Sequence, residues 1–183
     1  MSLSENWVNA ILKIATGSSL RRNLMTPVGF IFFVTFMTAL IFFSFYLDKL
    51  LNFPDSFFEP VILIIGLPLL IAGIILVCIC LFCFLKAKGT PVPLNPPKKI
   101  ITEGPYAYSR NPMMVGLFFQ LFGFGILSGS VSLTFIVTPL FILLNVIELK
   151  KIEEPELVKR LGNEYIEYRK KVPMFIPRLR NTQ

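Results

Sequence analysis

The sequence predicts an all-α, polytopic membrane helix bundle of about four transmembrane helices, on three observations. The chain has 183 residues, is 54% hydrophobic with 19 Phe, and has a mean hydropathy of +0.69. That is too apolar for an ordinary soluble domain. Its charges leave three long gaps, from Arg22 to Asp48, from Glu59 to Lys86 and from Arg110 to Glu148. The segments between the gaps also differ in charge sign, as the loops of a membrane protein do.

All of residues 1–183 read as one membrane domain. Residues 1–24 form an N-terminal segment in which Trp7, Val8, Ile11, Leu12 and Ala15 share one side of a helix, the pattern of an interfacial helix. The first apolar run starts near Pro27 and is too long for the core of a cleavable signal peptide. Residues 25–85 hold the first two membrane helices, because a crossing takes ~20 apolar residues over ~30 Å of hydrocarbon and each of the first two gaps fits one. Residues 86–111 form a loop in which Pro91, Pro93, Pro96 and Pro97 forbid a helix and favour extended backbone.

The third gap, Asn111 to Ile147, is 37 residues long, with Gly129-Ser130 near its middle. It predicts a tight helical hairpin over residues 112–148, with arms of ~17 residues and ~25 Å each. Residues 149–183 follow as a helical tail. The charges fix the orientation. Residues 1–26 carry Lys13, Arg21 and Arg22 against Glu5, net +2, while residues 86–111 are net +4 and residues 149–183 are net +4. Residues 48–59 are net −2. Four crossings put the three basic regions on one side, with both termini cytoplasmic. The overall +7 then belongs to topology and anionic lipid, not to nucleic acid.

Histidine is absent, which excludes a His-based triad, a zinc protease and a His proton relay. Cys78, Cys80 and Cys83 lie within one membrane segment, and with no His beside them they read as small buried residues rather than metal ligands. The polar residues that need a reason lie elsewhere. Asn111-Pro112 is an N-cap followed by a first-turn proline, so a membrane helix begins there with its free N–H groups at the cytoplasmic surface. Arg110 beside it has two readings, a lipid-phosphate anchor or part of a small-ligand site. Glu153 and Glu154 stand about one turn past the apolar run, where carboxylates are costly. They read either as site residues or as helix-end charges paired to Lys150 or Lys151. Pro155 is expected to open a new helix ending at Gly162, Asn163 to cap a further one bearing Tyr165 and Tyr168, and VPMFIP to return extended onto the membrane surface.

GPYAYSRNPMMVG, followed after a short hairpin by IEEPELVKRLGNEYIEYRKKVPMFIP, resembles the isoprenylcysteine carboxyl methyltransferases and the phospholipid methyltransferases grouped with them. The resemblance covers roughly residues 86–178. It implies methyl transfer from S-adenosylmethionine, held in a cytoplasm-facing pocket made by the loop, the hairpin and the C-terminal helices. On the matching positions it implies cofactor contacts at Lys98, Lys99, Ile100, Ile101, Gly104, Tyr106, Asn111, Pro112, Met113, Met114 and Glu153. It implies catalytic positions at Arg110, Asn111, Glu153 and Glu154, and no metal. The chain departs from the family pattern at three places, with Lys98 and Asn111 where the family has His and Met114 where it has Tyr. Leu149 stands where a substrate-contacting Arg is expected.

The function these features imply is methyl transfer to a lipophilic acceptor entering sideways from the bilayer. A carboxylate or thiol acceptor, the isoprenylcysteine type included, arrives ionised and suits a pocket without imidazole. An amine would require Glu153, Glu154 or water as base. A membrane NADPH-dependent reductase of the sterol-reductase type and a non-enzymatic protein on the same scaffold are the alternatives. The membrane expected is a prokaryotic plasma membrane.

Overall fold

The computed structural model describes residues 3–54, 62–92, 95–97 and 99–176, among which there is helix, turn and connector but no strand. Seven α-helices follow in order: α1 (Leu3–Ala15), α2 (Ser19–Leu51), α3 (Leu67–Lys86), α4 (Pro112–Leu127), α5 (Thr138–Glu148), α6 (Glu154–Leu161) and α7 (Asn163–Lys171). Three stretches are long and apolar enough to cross a membrane: Asn23–Leu51, Ile62–Lys86 and Leu133–Leu161; Pro112–Leu127 is apolar but shorter. Large side chains on α2, among them Phe30, Phe32, Phe42 and Phe43, face outward, as lipid-facing residues do.

The hairpin arms differ from the expected equal pair. The first, α4, has 16 residues. The second is longer: α5 passes through a π turn into α6, which carries Pro155 in its first turn and ends at Gly162 as expected, so helix continues to Leu161. The continuity rests on π-helical turns. Three occur, and each ends two residues before a proline: Ile62–Gly66 before Pro68, Leu133–Val137 before Pro139, and Leu149–Glu153 before Pro155. Proline has no N–H to donate, and its ring crowds the carbonyl four residues back. Those carbonyls belong to Ile64, Phe135 and Lys151, each inside a π turn. Widening the turn by one residue relieves the clash without kinking the helix apart.

α3 and α4 lie against each other through four glycines. A Cβ on Gly73 would sit 2.5 Å from the Gly116 carbonyl oxygen, and one on Gly116 would sit 3.0 Å from that of Gly73. One turn-pair away, a Cβ on Gly123 would meet the Leu70 nitrogen at 2.5 Å and the Gly66 oxygen at 2.8 Å. Small residues at matched positions let two membrane helices bring their backbones together where no hydrophobic driving force separates protein from lipid. Two apolar clusters fill the interior among the described residues: Phe118, Leu121, Leu133, Val137 and Phe141, covered by Met37, Leu40 and Ile41 of α2, and Ile126 with Val131.

At the hairpin tip Gly129 takes φ +71, which suits glycine. The next helix starts under a cap from another segment. Asp48, near the end of α2, accepts the Ser132 N–H at 2.7 Å with one carboxylate oxygen and the Ser130 hydroxyl with the other. The Ser130 hydroxyl oxygen in turn accepts the Leu133 N–H at 3.1 Å. These bonds satisfy donors at a helix start where Ser130 and Ser132 are buried.

Candidate functional site

The opposite ends of α4 and α5 meet the connector and the tail around one cavity with about 920 Å³ of empty space, its open mouth included. The part of that space that water-sized centres can occupy is about 150 Å³. Thr90, Pro91, Val92, Pro96, Pro97, Lys99, Ile100 and Ile101 form one wall, and Tyr106, Arg110 and Asn111 continue it. Glu148, Glu153, Glu156, Leu157, Arg160, Leu161, Tyr165 and Tyr168 form the other, with Ile11 of α1 and Phe84 of α3 at the edges.

Arg110 holds the walls together. Its Nη1 pairs with Glu154 and also donates to the Tyr165 hydroxyl at 3.1 Å. The Arg110 and Glu154 side chains are 10% and 12% exposed, so the lipid-anchor reading of Arg110 gives way to a buried pair. Glu154 also faces Arg169 at 3.5 Å rather than Lys150 or Lys151. The backbone around Arg110 is fixed from the tail. Arg110 N–H donates to the Pro173 carbonyl at 2.9 Å and Asn111 N–H to that of Met174 at 3.1 Å. Residues 173–175 therefore return onto the start of α4, and Phe175 packs edge-on against Phe118. Residues from 177 onward lie outside the described residues.

Asn111 occupies the N-cap position without a side-chain cap bond, against expectation. Its Nδ2 donates to the Met174 carbonyl at 3.4 Å. Two further bonds complete the frame. The Tyr168 hydroxyl donates to the Tyr106 carbonyl at 2.7 Å. Arg160 binds Glu156 through Nε at 2.7 Å and the Pro97 carbonyl through Nη1 at 3.0 Å, tying α6 to the proline-rich connector. Burial pushes the Tyr165 phenol up to about 12 and raises Tyr106 and Tyr168 as well. All three therefore stay protonated donors at neutral pH.

Of the residues predicted for the site, Lys99, Ile100, Ile101, Tyr106, Arg110, Asn111 and Glu153 line the cavity. Glu154 stands behind it as the partner of Arg110. Gly104, with φ +59, starts the 3₁₀ turn Gly104–Ala107 that presents Tyr106. Pro112 is buried in the first turn of α4, and Met114 packs against the Phe118–Leu121 cluster, so neither is on the cavity wall, and Met113 is not on it either. Lys98 lies outside the described residues. Sequence reasoning missed Glu148, Glu156, Arg160 and Ile11. For Ile11 the signal was misread, because the stripe of α1 is divided: Val8 is buried, Ile11 faces the cavity and Trp7 is 61% exposed. Lys159 Nζ donates to Asn9 Oδ1 at 3.0 Å, which docks α1 on α6.

The π turn at Leu149–Glu153 decides which carboxylates face inward. In an α-helix, residues five apart are ~140° out of phase. Across a π turn, residues five apart lie nearly over one another. Glu148 and Glu153 thus share the cavity face, and Glu156, Leu157, Arg160 and Leu161 continue it at α-helical spacing.

No curated protein and no solved structure matches the chain. A family model, that of phospholipid methyltransferase, matches residues 61–164. The matched span takes in α3 and the π turn before it as well as the connector, α4, α5 and α6, and so includes the glycine-paired helices and most of the cavity wall. It covers more than half of the 183 residues, and on that match the chain, a membrane protein by its apolar helices, belongs to the phospholipid methyltransferase family of membrane methyltransferases.

Proposed function

We propose that the chain transfers a methyl group from S-adenosylmethionine to an acceptor delivered by the membrane, at a cavity on the cytoplasmic side. The observation that carries the reading is Arg110. Its Nη1 is engaged, yet its Nε is buried, has no hydrogen-bond partner among the described residues, and belongs to a residue on the cavity wall. A buried donor left unpaired costs ~1–3 kcal/mol, and a ligand acceptor atom in the cavity removes that cost. The donor set fits the cofactor in other respects too. Glu153 offers a carboxylate for its cationic or hydroxyl-bearing part. Tyr106, Tyr165 and Tyr168 offer ring faces, and Ile100, Ile101 and Leu157 an apolar floor.

S-adenosylmethionine, when bound, supplies a methyl group already activated by a sulfonium. The work left to the chain is to bind, align and exclude water. Arg110, pinned by Glu154 and Tyr165 and by the backbone of Pro173, is fixed before a ligand arrives. Arg160 holds Pro97, and with it the connector wall, against α6. The short α4 starts at Pro112, beside Asn111, so the apolar bilayer begins at the cavity edge and a lipophilic acceptor reaches it laterally. The basic regions 1–26, 86–111 and 149–183 set this end of the bundle toward the cytoplasm.

Calorimetry on the purified chain tests the reading. Wild type binds S-adenosylmethionine, and Glu153→Ala weakens it by roughly 10- to 150-fold, the equivalent of one charged hydrogen bond of ~1.5–3 kcal/mol. Asn111→Ala weakens it less, since its side chain braces the tail. Folded wild type that releases no heat with S-adenosylmethionine refutes the proposal.

A further inference from the structure

Among the described residues, Ile11 is the one on the cavity wall that comes from before residue 61, where the family match begins. It belongs to α1, which lies along α6 and the π turn Leu149–Glu153. The seat is slight. Among the described side chains of α1, Val8 alone is buried, while Ile11 and Leu12 are half-buried. The polar tie, from Lys159 Nζ to Asn9 Oδ1, is on the surface. Surface ties of this kind contribute little against competing water.

α1 can leave that seat as a unit. The Thr16 N–H and hydroxyl both donate to the Leu12 carbonyl, at 2.9 and 2.7 Å, and the Gly17 N–H donates to the Ile14 carbonyl at 3.0 Å. The last turn thus satisfies these carbonyls from its own chain and needs no donor from α6 for them. Residues 16–18 connect α1 to α2 outside any helix, with Thr16 and Ser18 exposed. Such a connector absorbs the backbone rotation of a hinge. The apolar stripe of α1 is also wider than its seat. Trp7, beside Val8, is exposed, and an indole, apolar with one N–H, suits the membrane–water interface. A lifted α1 therefore has a second surface to rest on.

We infer that α1 is a lid on the cavity. It closes by seating Val8 and Ile11 against α6 and the π turn, and it opens by turning about residues 16–18 while Trp7 holds it to the membrane interface. Closing removes water from the walls that carry Arg110 and Glu153, where each polar contact to a ligand then strengthens. Opening lets a water-soluble ligand pass. The inference concerns access to the cavity and holds for any ligand carried there, so it stands apart from the methyl-transfer reading.

The test measures thiol access on the full chain in phosphatidylcholine nanodiscs. Cys78 and Cys83 are replaced by alanine, Cys80 is fully buried, and Ile101→Cys puts the reporter on the opposite wall of the cavity. Its rate of reaction with a water-soluble maleimide follows the open fraction of the lid. Val8 does not line the cavity, so Val8→Ala loosens the lid without widening the site. The expected rise is about tenfold, from the lost burial of two carbon groups. Asn9→Asp faces Lys159 with an opposite charge and slows labelling about two- to fivefold, and adding Lys159→Gln abolishes the slowing. A segment that only braces the fold would not tighten in this way. Tyr108→Cys, at an exposed position off the cavity wall, is the control and reacts alike in every background. Trp7 is the chain's single tryptophan, so its quenching by lipids brominated near the headgroup reads α1 alone and rises in Val8→Ala. Equal rates at position 101 with and without Val8→Ala, or an Asn9→Asp chain that labels no more slowly than its parent, overturn the inference. A rise at positions 101 and 108 together also overturns it, since the whole fold has then loosened. Calorimetry with S-adenosylmethionine on the same samples separates the two claims: gated access without binding refutes the methyl-transfer reading and leaves the lid standing.

Discussion

Replacing Gly73 with alanine adds one methyl group to the closest backbone contact in the bundle. The new Cβ would lie 2.5 Å from the Gly116 oxygen and 2.8 Å from both the Gln120 nitrogen and its Cγ. Two of these three atoms are backbone, so no rotamer change clears them. Reaching ordinary contact at 3.4 Å requires α3 and α4 to part by about 0.9 Å (3.4 − 2.5). Overpacking of that kind costs ~1–3 kcal/mol, against ~0.5–1 kcal/mol gained when alanine replaces a helical glycine. The balance is a loss of up to about 2.5 kcal/mol, or up to roughly 10 °C in melting temperature for a chain of this size. Cys80 on α3 is 0% exposed and reports unfolding when a thiol-reactive dye reaches it, with Cys78 and Cys83 replaced by alanine to silence them. Ile74→Ala, at a position 46% exposed toward lipid, is the control and moves the transition little. A Gly73→Ala chain that melts at or above wild type would show that the helices have slack the geometry denies.

Three further outcomes follow from the same structure. Arg110→Ala leaves Glu154 charged and buried, so it lowers stability by ~3–5 kcal/mol in chemical denaturation; Arg110→Lys recovers part of this but not the Tyr165 contact. Asp48→Asn keeps the shape of the hairpin-tip cap but weakens two charged hydrogen bonds, for a loss of about 1–3 kcal/mol in the same measurement. Pro155→Ala removes the cause of the π turn at Leu149–Glu153, so a cysteine placed at 148 swings out of the cavity and reacts several-fold more slowly with a water-soluble maleimide. An unchanged rate would mean that the turn is held by packing alone.

What could be read from the sequence were the features carried by local chemistry. Charge gaps marked the apolar segments, Gly129 marked the hairpin tip, and Asn111-Pro112 marked the start of α4. Lys99, Ile100, Ile101, Tyr106, Arg110, Asn111 and Glu153 come together on one cavity. What escaped depends on partners distant in the chain. Glycines 66, 73, 116 and 123 matter only as facing pairs, and each alone looks like a weak helix residue. Asp48 reads as a loop charge until Ser130 and Ser132 arrive from 82 and 84 residues away. α-helical spacing would put Glu148 on a different face from Glu153, and the π turn that changes this precedes a proline downstream of both. The role assumed for Asn111 failed for a similar reason, since the chain that takes up its side chain returns from residue 174.

The cap that Asp48 places on Ser130 and Ser132 has a consequence for biogenesis. The Ser132 N–H and the Ser130 hydroxyl at the far tip of the hairpin find their acceptor on the first crossing, not within the hairpin itself. A hairpin folded alone would leave those donors without this acceptor. The first crossing is synthesised earlier and waits with its carboxylate in place, so it acts as a template on which the later pair seats. Vectorial synthesis and folding order then coincide, and a chain split between α2 and α3 should assemble only when the two pieces are made together.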